Sequence, residues 1–197
     1  MSLEVIILRV PRGLASRFRI FFYRMLGMKI GRGNRMEGKG RCRRVSQIQI
    51  GDYNAFTQGC WLWPIDAPFA GNASPGRTRI KIGSGNYFNR NLMIDACGHV
   101  EIGDNNMFGP DVYIADSNHT YGAGVAPHKL PMDVGKVQVG SNCWIGAHAV
   151  ILKDVELGDG CVVGAGAVVT KSFAGGSVIA GVPARLISGQ ESEVRGQ

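Results

Sequence analysis

Four histidines, His99, His119, His128 and His148, offer the most chemistry in this 197-residue chain. An imidazole titrates near neutral pH, so each is able to take a proton from a hydroxyl and pass it on. Their gaps are 20, 9 and 20 residues, and none forms a closely spaced pair. A catalytic zinc site wants three clustered ligands and an open fourth position, so no metal is expected. The four sit in different settings. His148 lies inside a regular stretch, His99 in a short irregularity beside Gly98, and His128 in a long loop. His119 follows Asp116-Ser117-Asn118, where a regular stretch ends and that loop begins. Asp116 is a candidate to orient the His119 ring, a role that a backbone carbonyl would fill equally well.

The regular stretch is a repeat of six. Val139, Ile145, Ile151, Leu157, Val163 and Val169 are spaced six apart, and glycine follows four of them, at Gly140, Gly146, Gly158 and Gly164. Ile82, Phe88 and Ile94 keep the same step, as do Ile102, Phe108 and Ile114, with Ile30-Gly31 and Ile50-Gly51 as outlying members. Six matches neither the 3.6 period of an α-helix nor a lone amphipathic strand. It fits a short strand plus a bend, three of which close one coil of about 18 residues, with the aliphatic side chain inside and glycine at the bend. The register breaks by two residues near Gly98-His99, and 25 positions separate Ile114 from Val139. Insertions in a solenoid project as loops, often from the functional edge.

Composition agrees with a folded chain rich in tight turns: 45% hydrophobic, 19% charged, and 29 glycines spread throughout. The net charge of +7 is uneven. Residues 1–44 carry 12 Lys and Arg against Glu4 and Glu37, a net +10, which leaves residues 45–197 at −3. The acidic body speaks against nucleic acid as a partner. Cys42, Cys60, Cys97, Cys143 and Cys161 are odd in number and contain no C-x-x-C pair, as expected of buried thiols in a reducing compartment. The apolar start Val5–Leu8 is too short for a signal or a span. The expected location is the cytoplasm, including the periphery of the inner membrane face. Leu14, Phe18, Phe21, Phe22 and Met25 follow helical spacing, with Arg17, Arg19 and Arg24 largely off that face. Such a helix either caps the open end of the solenoid or lies weakly on an anionic membrane surface. The expected organisation is a helical segment over 1–29, a repeat domain over 30–187 with a loop at 117–136, and a flexible tail over 188–197.

Residues 145–151 (IGAHAVI), 163–171 (VGAGAVVTK) and 180–185 (AGVPAR) resemble the hexapeptide-repeat acyltransferases, within them the galactoside and maltose O-acetyltransferases and polysaccharide-modifying relatives. The resemblance covers roughly residues 80–187. It implies an all-β, left-handed parallel β-helix, a homotrimer with active sites between subunits, and acetyl-CoA as co-substrate. Parallel crossovers are right-handed in about 98% of cases, so the handedness comes from the resemblance and not from the period.

Residue by residue, the resemblance makes His119 the general base and Asn89 a contact to the acceptor sugar. Ala147 stands where the galactoside enzymes carry a serine, so its backbone N–H, not a hydroxyl, is left to polarise the thioester carbonyl. Ala165, Thr170, Lys171, Arg185 and Trp144 align with coenzyme-binding positions, Lys171 and Arg185 facing nucleotide phosphates. Trp61 through Phe69 either stack on sugar rings or pack. The implied function is acetyl transfer to a saccharide hydroxyl in cell-surface polysaccharide biosynthesis. N-acetylation of a nucleotide-linked amino sugar is the alternative, and a zinc-dependent lyase or a non-catalytic scaffold would be further removed.

Overall fold

The computed structural model describes residues 3–38, 40–65, 77–122 and 124–189, the backbone alone at 3–12. The chain winds into a left-handed parallel β-helix of three sheets. Sheet A runs from Lys29–Ile30 through Ile48–Ile50, Ile80–Ile82, His99–Ile102 and Lys136–Val139 to Glu156–Leu157. Sheet B runs from Arg35–Met36 through Tyr87–Phe88 and Trp144–Ile145 to Val178–Gly181, and sheet C from Arg41–Cys42 through Met93–Ala96 and Tyr113–Ala115 to Val168–Val169.

The period of six is the step from one sheet to the next. Val139 pairs with Leu157, Ile145 with Val163 and Ile151 with Val169, a coil of 18. Earlier coils take 20 residues, as in Ile30 with Ile50 and Ile82 with Ile102. Inside, equivalent side chains stack. Phe56, Phe88 and Phe108 form a column with ring centroids 4.5 and 4.9 Å apart, and Ile94, Ile114 and Ile151 are fully buried. Each such side chain contributes about 1.5–3 kcal/mol by leaving water. At the start of sheet B the interior is polar. Asn34, Asn54, Asn86 and Asn106 form a ladder in which each Oδ1 accepts the backbone N–H of the next position, ending at Cys143.

The glycine after each aliphatic residue has a different cause from the one expected. Its backbone is not left-handed. Instead the next coil lies too close for a side chain: a Cβ on Gly83 would stand 2.7 Å from the Gly103 carbonyl oxygen. The left-handed bend falls two residues later, at Gly85 and Asn105 and, at the next corner, at Asp111, His148 and Gly166.

Helix α1 (Leu3–Met25) caps the first coil, but not with the face the sequence suggested. Ser16 and Ile20 are the buried positions. Ser16 Oγ accepts the Met36 N–H at 2.8 Å, Arg19 donates to the Met36 carbonyl at 2.6 Å, and Arg24 donates to the Ile30 and Gly31 carbonyls. These side chains replace the bonds a preceding coil would make. Leu14, Phe18, Phe21, Phe22 and Met25 point outward, each more than half exposed. At the other end the chain turns at Val182-Pro183, and Ala184–Ser188 returns antiparallel on Val178–Gly181. Of the tail expected over 188–197, Ser188 ends the last strand and residues 190–197 lie outside the described residues.

Candidate active site

The break between Ile114 and Val139, expected as a loop over 117–136, leaves and returns as two short paired strands. Ser117–His119 pairs antiparallel with Met132–Val134, His119 opposite Met132, and the excursion tightens to a 3₁₀ turn at Pro127–Lys129. Its base is closed by the Gly135 N–H donating to the Asp116 carbonyl at 2.8 Å, and its far strand is tethered where Lys153 Nζ meets Asp133 at 3.2 Å. The hairpin lifts His119 off the prism and leaves its imidazole exposed, open to an incoming hydroxyl. His128 is exposed on the 3₁₀ turn. His99 lies within a sheet A strand, with its ring between the Thr78 carbonyl and Glu101. His148 occupies a left-handed turn position, φ 57°, with Nε2 4.0 Å from Asp111.

The carboxylate bonds of Asp116 go elsewhere than to His119. The residue is fully buried, and its two oxygens accept the Cys97 and Gly98 N–H groups at 2.7 and 2.8 Å. Burial raises its pKa above the ordinary carboxylate range, against the pull of those N–H groups and of the Arg79 charge. In place of the ring-orienting role suggested by proximity in sequence, Asp116 stitches the 97–98 turn to the root of the hairpin. The reason is direction: Ala115 continues sheet C, and the next side chain turns inward beneath the hairpin.

The opposite edge, between sheets B and C, carries most of the other expected residues. In the turn 146–149 the Ala149 N–H reaches back to the Gly146 carbonyl, and the turn 164–167 repeats the pattern, with left-handed third residues His148 and Gly166. This is type II turn geometry, in which the second residue is free of the turn's own bond. Among the described residues, the Ala147 and Ala165 N–H groups donate to no protein acceptor. Ala147 is half-buried and Ala165 exposed, so a row of open donors follows the helix axis. Asn89 stands in the neighbouring column, with its Oδ1 accepting the Arg90 N–H at 2.8 Å. Trp144 is 54% exposed on the outer face of sheet B, in register with Met107. Arg185 is exposed on the returning strand opposite Ala180.

Thr170 and Lys171 fall on the other side. They follow the sheet C strand Val168–Val169, so they share the C–A edge with His119. The expected set is therefore split: Asn89, Trp144, Ala147, Ala165 and Arg185 on the B–C side, His119, Thr170 and Lys171 on the C–A side. About five residues of sheet C separate the edges, on the order of 15 Å at about 3.3 Å per residue. Within one chain, His119 and the row of open donors therefore stand on different edges of sheet C.

Sequence reasoning missed Asp95 and Tyr113. Asp95 lies directly before Ala115 in the sheet C column, next to the root of the hairpin. It accepts the Tyr113 hydroxyl at 2.7 Å, and its other oxygen is buried with no partner among the described residues. Burial raises its pKa, against the pull of the Tyr113 hydrogen bond. The available signal was an acid at an outward strand position, flanked by apolar residues. Trp61 and Trp63 point outward from the same sheet and pack under Arg41 and Arg43, guanidinium to ring centroid 5.3 and 5.5 Å. Packing accounts for both, and Phe69 lies outside the described residues. Among the described residues no group of three or more His, Cys, Asp or Glu side chains gathers as metal ligands.

Residues 136–171 match the family described as bacterial transferase hexapeptide (six repeats), the stretch in which the 18-residue coil is most regular. Within those residues the chain is similar to the hexapeptide transferase repeats. The chain is 42% identical over 111 residues to nodulation protein L of Rhizobium leguminosarum bv. viciae, covering 56% of this chain and 57% of that one. It is 39% identical over 114 residues to galactoside O-acetyltransferase of Escherichia coli (strain K12), covering 56% and 54%. The matches thus span little more than half the length of these relatives. Among solved structures, a mutant of AntD, an N-acyltransferase from Bacillus cereus in complex with dTDP and coenzyme A, superposes with a TM-score of 0.71. It is 20% identical, and the match covers 88% of this chain and 90% of that one. At that identity the likeness establishes the shared fold.

Proposed function

We propose that the protein is an acetyl-CoA-dependent O-acetyltransferase acting on a saccharide hydroxyl, in cell-surface polysaccharide biosynthesis at the cytoplasmic face. Two observations carry the reading: an exposed imidazole on a hairpin strand, and a row of open backbone donors along a small-residue edge. An extended thioester arm fits that edge, since Gly164–Ala167 leaves room for it and Ala147 and Ala165 offer N–H groups. The coenzyme supplies an activated acetyl group. His119 takes the proton from the acceptor hydroxyl as its oxygen forms the new C–O bond, then returns it to the sulfur when the C–S bond breaks. The Ala147 N–H stabilises the negative charge that develops on the carbonyl oxygen. Lys171 and Arg185 meet phosphate oxygens. Asn89 and the unpartnered oxygen of Asp95 hold acceptor hydroxyls.

Because base and donor row lie on opposite edges of sheet C, the working enzyme is an assembly, and we read it as a homotrimer with its sites between copies. The outward apolar column Tyr87, Met107 and Trp144, 38%, 48% and 54% exposed, supports such a contact. N-acetylation of a nucleotide-linked amino sugar is the second reading, favoured by the likeness to AntD with its bound dTDP.

The test is incubation with acetyl-CoA and a panel of saccharides, amino sugars and nucleotide sugars, scored by the mass gain of one acetyl group and release of free thiol. An alkali-labile product marks an ester, a stable one an amide. No acceptor, together with no binding of acetyl-CoA by calorimetry, overturns the proposal.

A further inference from the structure

We infer that the outer face of α1 is a docking surface for an anionic lipid bilayer, an interaction separate from the acetyl-transfer reading. Successive residues of an α-helix are turned by about 100°. Ser16, Ile20 and Tyr23 therefore share one side, the side packed on the first coil, where Ser16 and Ile20 are 3% and 7% exposed. Leu14, Phe18, Phe21 and Met25 share the opposite side, with Phe22 and Leu26 beside them, and their exposures run from 52% to 74%. The backbone needs at the end of the prism are already met by Ser16, Arg19 and Arg24, so this face is not required for capping. Three phenylalanines held out by a packed helix form a contiguous apolar strip.

Charge selects the occupant. Residues 1–44 carry a net +10 while the rest of the chain carries −3. Arg17 is exposed between the packed and the apolar sides of α1, and Lys29 and Arg35 are exposed on the coil beneath it. A second copy docking through the same strip would set one strongly basic end against another. An anionic headgroup layer matches the charge, and its acyl boundary accepts the phenyl rings, the combination by which interfacial helices bind. Among the described residues no helix is long and apolar enough to cross a membrane, so α1 would lie along the surface.

The experiment is co-sedimentation of the full chain with vesicles of phosphatidylcholine alone or with about a quarter phosphatidylglycerol. Partitioning onto the mixed vesicles is expected at least about tenfold above the neutral ones, falling as salt rises to about 0.5 M. The triple substitution Phe18→Ser, Phe21→Ser and Phe22→Ser should lower it about tenfold or more. Arg17→Glu, which touches none of the capping bonds, should lower it several-fold and serves if the triple variant misfolds. Absent partitioning, or partitioning that neither variant reduces, overturns the inference. So does a triple variant that loses self-association while the parent never binds vesicles, which would make the strip an interface between copies.

Discussion

The two edges of sheet C are made by the same strands, yet they differ in how strictly the chain is held. On the B–C side every connection takes the same length, Phe56 to Trp61, Phe88 to Met93, Ile145 to Val150, Val163 to Val168. On the C–A side the lengths vary: Ile65 to Arg77 lies between two strands there, Cys97-Gly98 adds a short step, and the His119 hairpin leaves and returns. Constancy makes a straight track of repeated N–H groups, suited to a long uniform ligand. Variation makes a place for one unusual side chain. On the proposed mechanism, binding and proton transfer would fall to different edges, and both would be needed in one site.

The largest effect tests the variable edge. His119→Ala should lower kcat about 10²–10⁴-fold, the usual scale for a general base, with acetyl-CoA affinity by calorimetry nearly unchanged. Unaltered turnover would remove His119 from the mechanism. The constant edge has its own test in Ala147→Pro. Pro110 already stands at the equivalent turn position one coil earlier, so the turn accepts proline and only the N–H is lost. A drop of about 10²-fold in kcat/KM with an unchanged melting midpoint is expected. An equal rate in that variant would show that the donor row is not used.

Asp116→Ala separates structure from chemistry at the hairpin root. Two buried N–H groups lose their acceptor, a cost of about 2–4 kcal/mol read by denaturant unfolding. If stability holds while kcat alone falls, Asp116 acts on the ring after all. The smallest effect is expected at Asp95. Its folded pKa is raised, so the folded state holds a proton that the unfolded chain releases at ordinary carboxylate pH. Stability is therefore lost as pH rises from that range through the folded pKa. Asp95→Asn should flatten this acid-side slope and raise the acceptor KM several-fold. A slope identical to the parent's would remove the proton linkage.

The hexad was legible because one physical demand, an aliphatic side chain facing inward, recurs at Val139, Ile145 and Ile151 with nothing in between to blur it. The glycines were legible as positions but not as causes. Gly83 answers to a carbonyl in the next coil, and no local reading of the chain contains that neighbour. The orientation of α1 was hidden for a related reason. The strip of Phe18, Phe21 and Phe22 advertises burial, while Ser16, Arg19 and Arg24 do the capping by hydrogen bonds to strand ends that exist only once the coil has formed. Resemblance pointed to His119 and Ala147, but their separation across sheet C is a three-dimensional fact, and so is the unpartnered oxygen of Asp95.

The antiparallel return of Ala184–Ser188 has a consequence for how long this object is allowed to be. A stack of parallel coils ends in unpaired strand groups, which in principle accept another molecule and continue as a fibre. The returning strand occupies that terminus on one sheet, and α1 blocks the far end. Truncating the chain before Ala184 would open that end alone, and with α1 still in place at the other the expected product is a tail-to-tail pair, not a fibre.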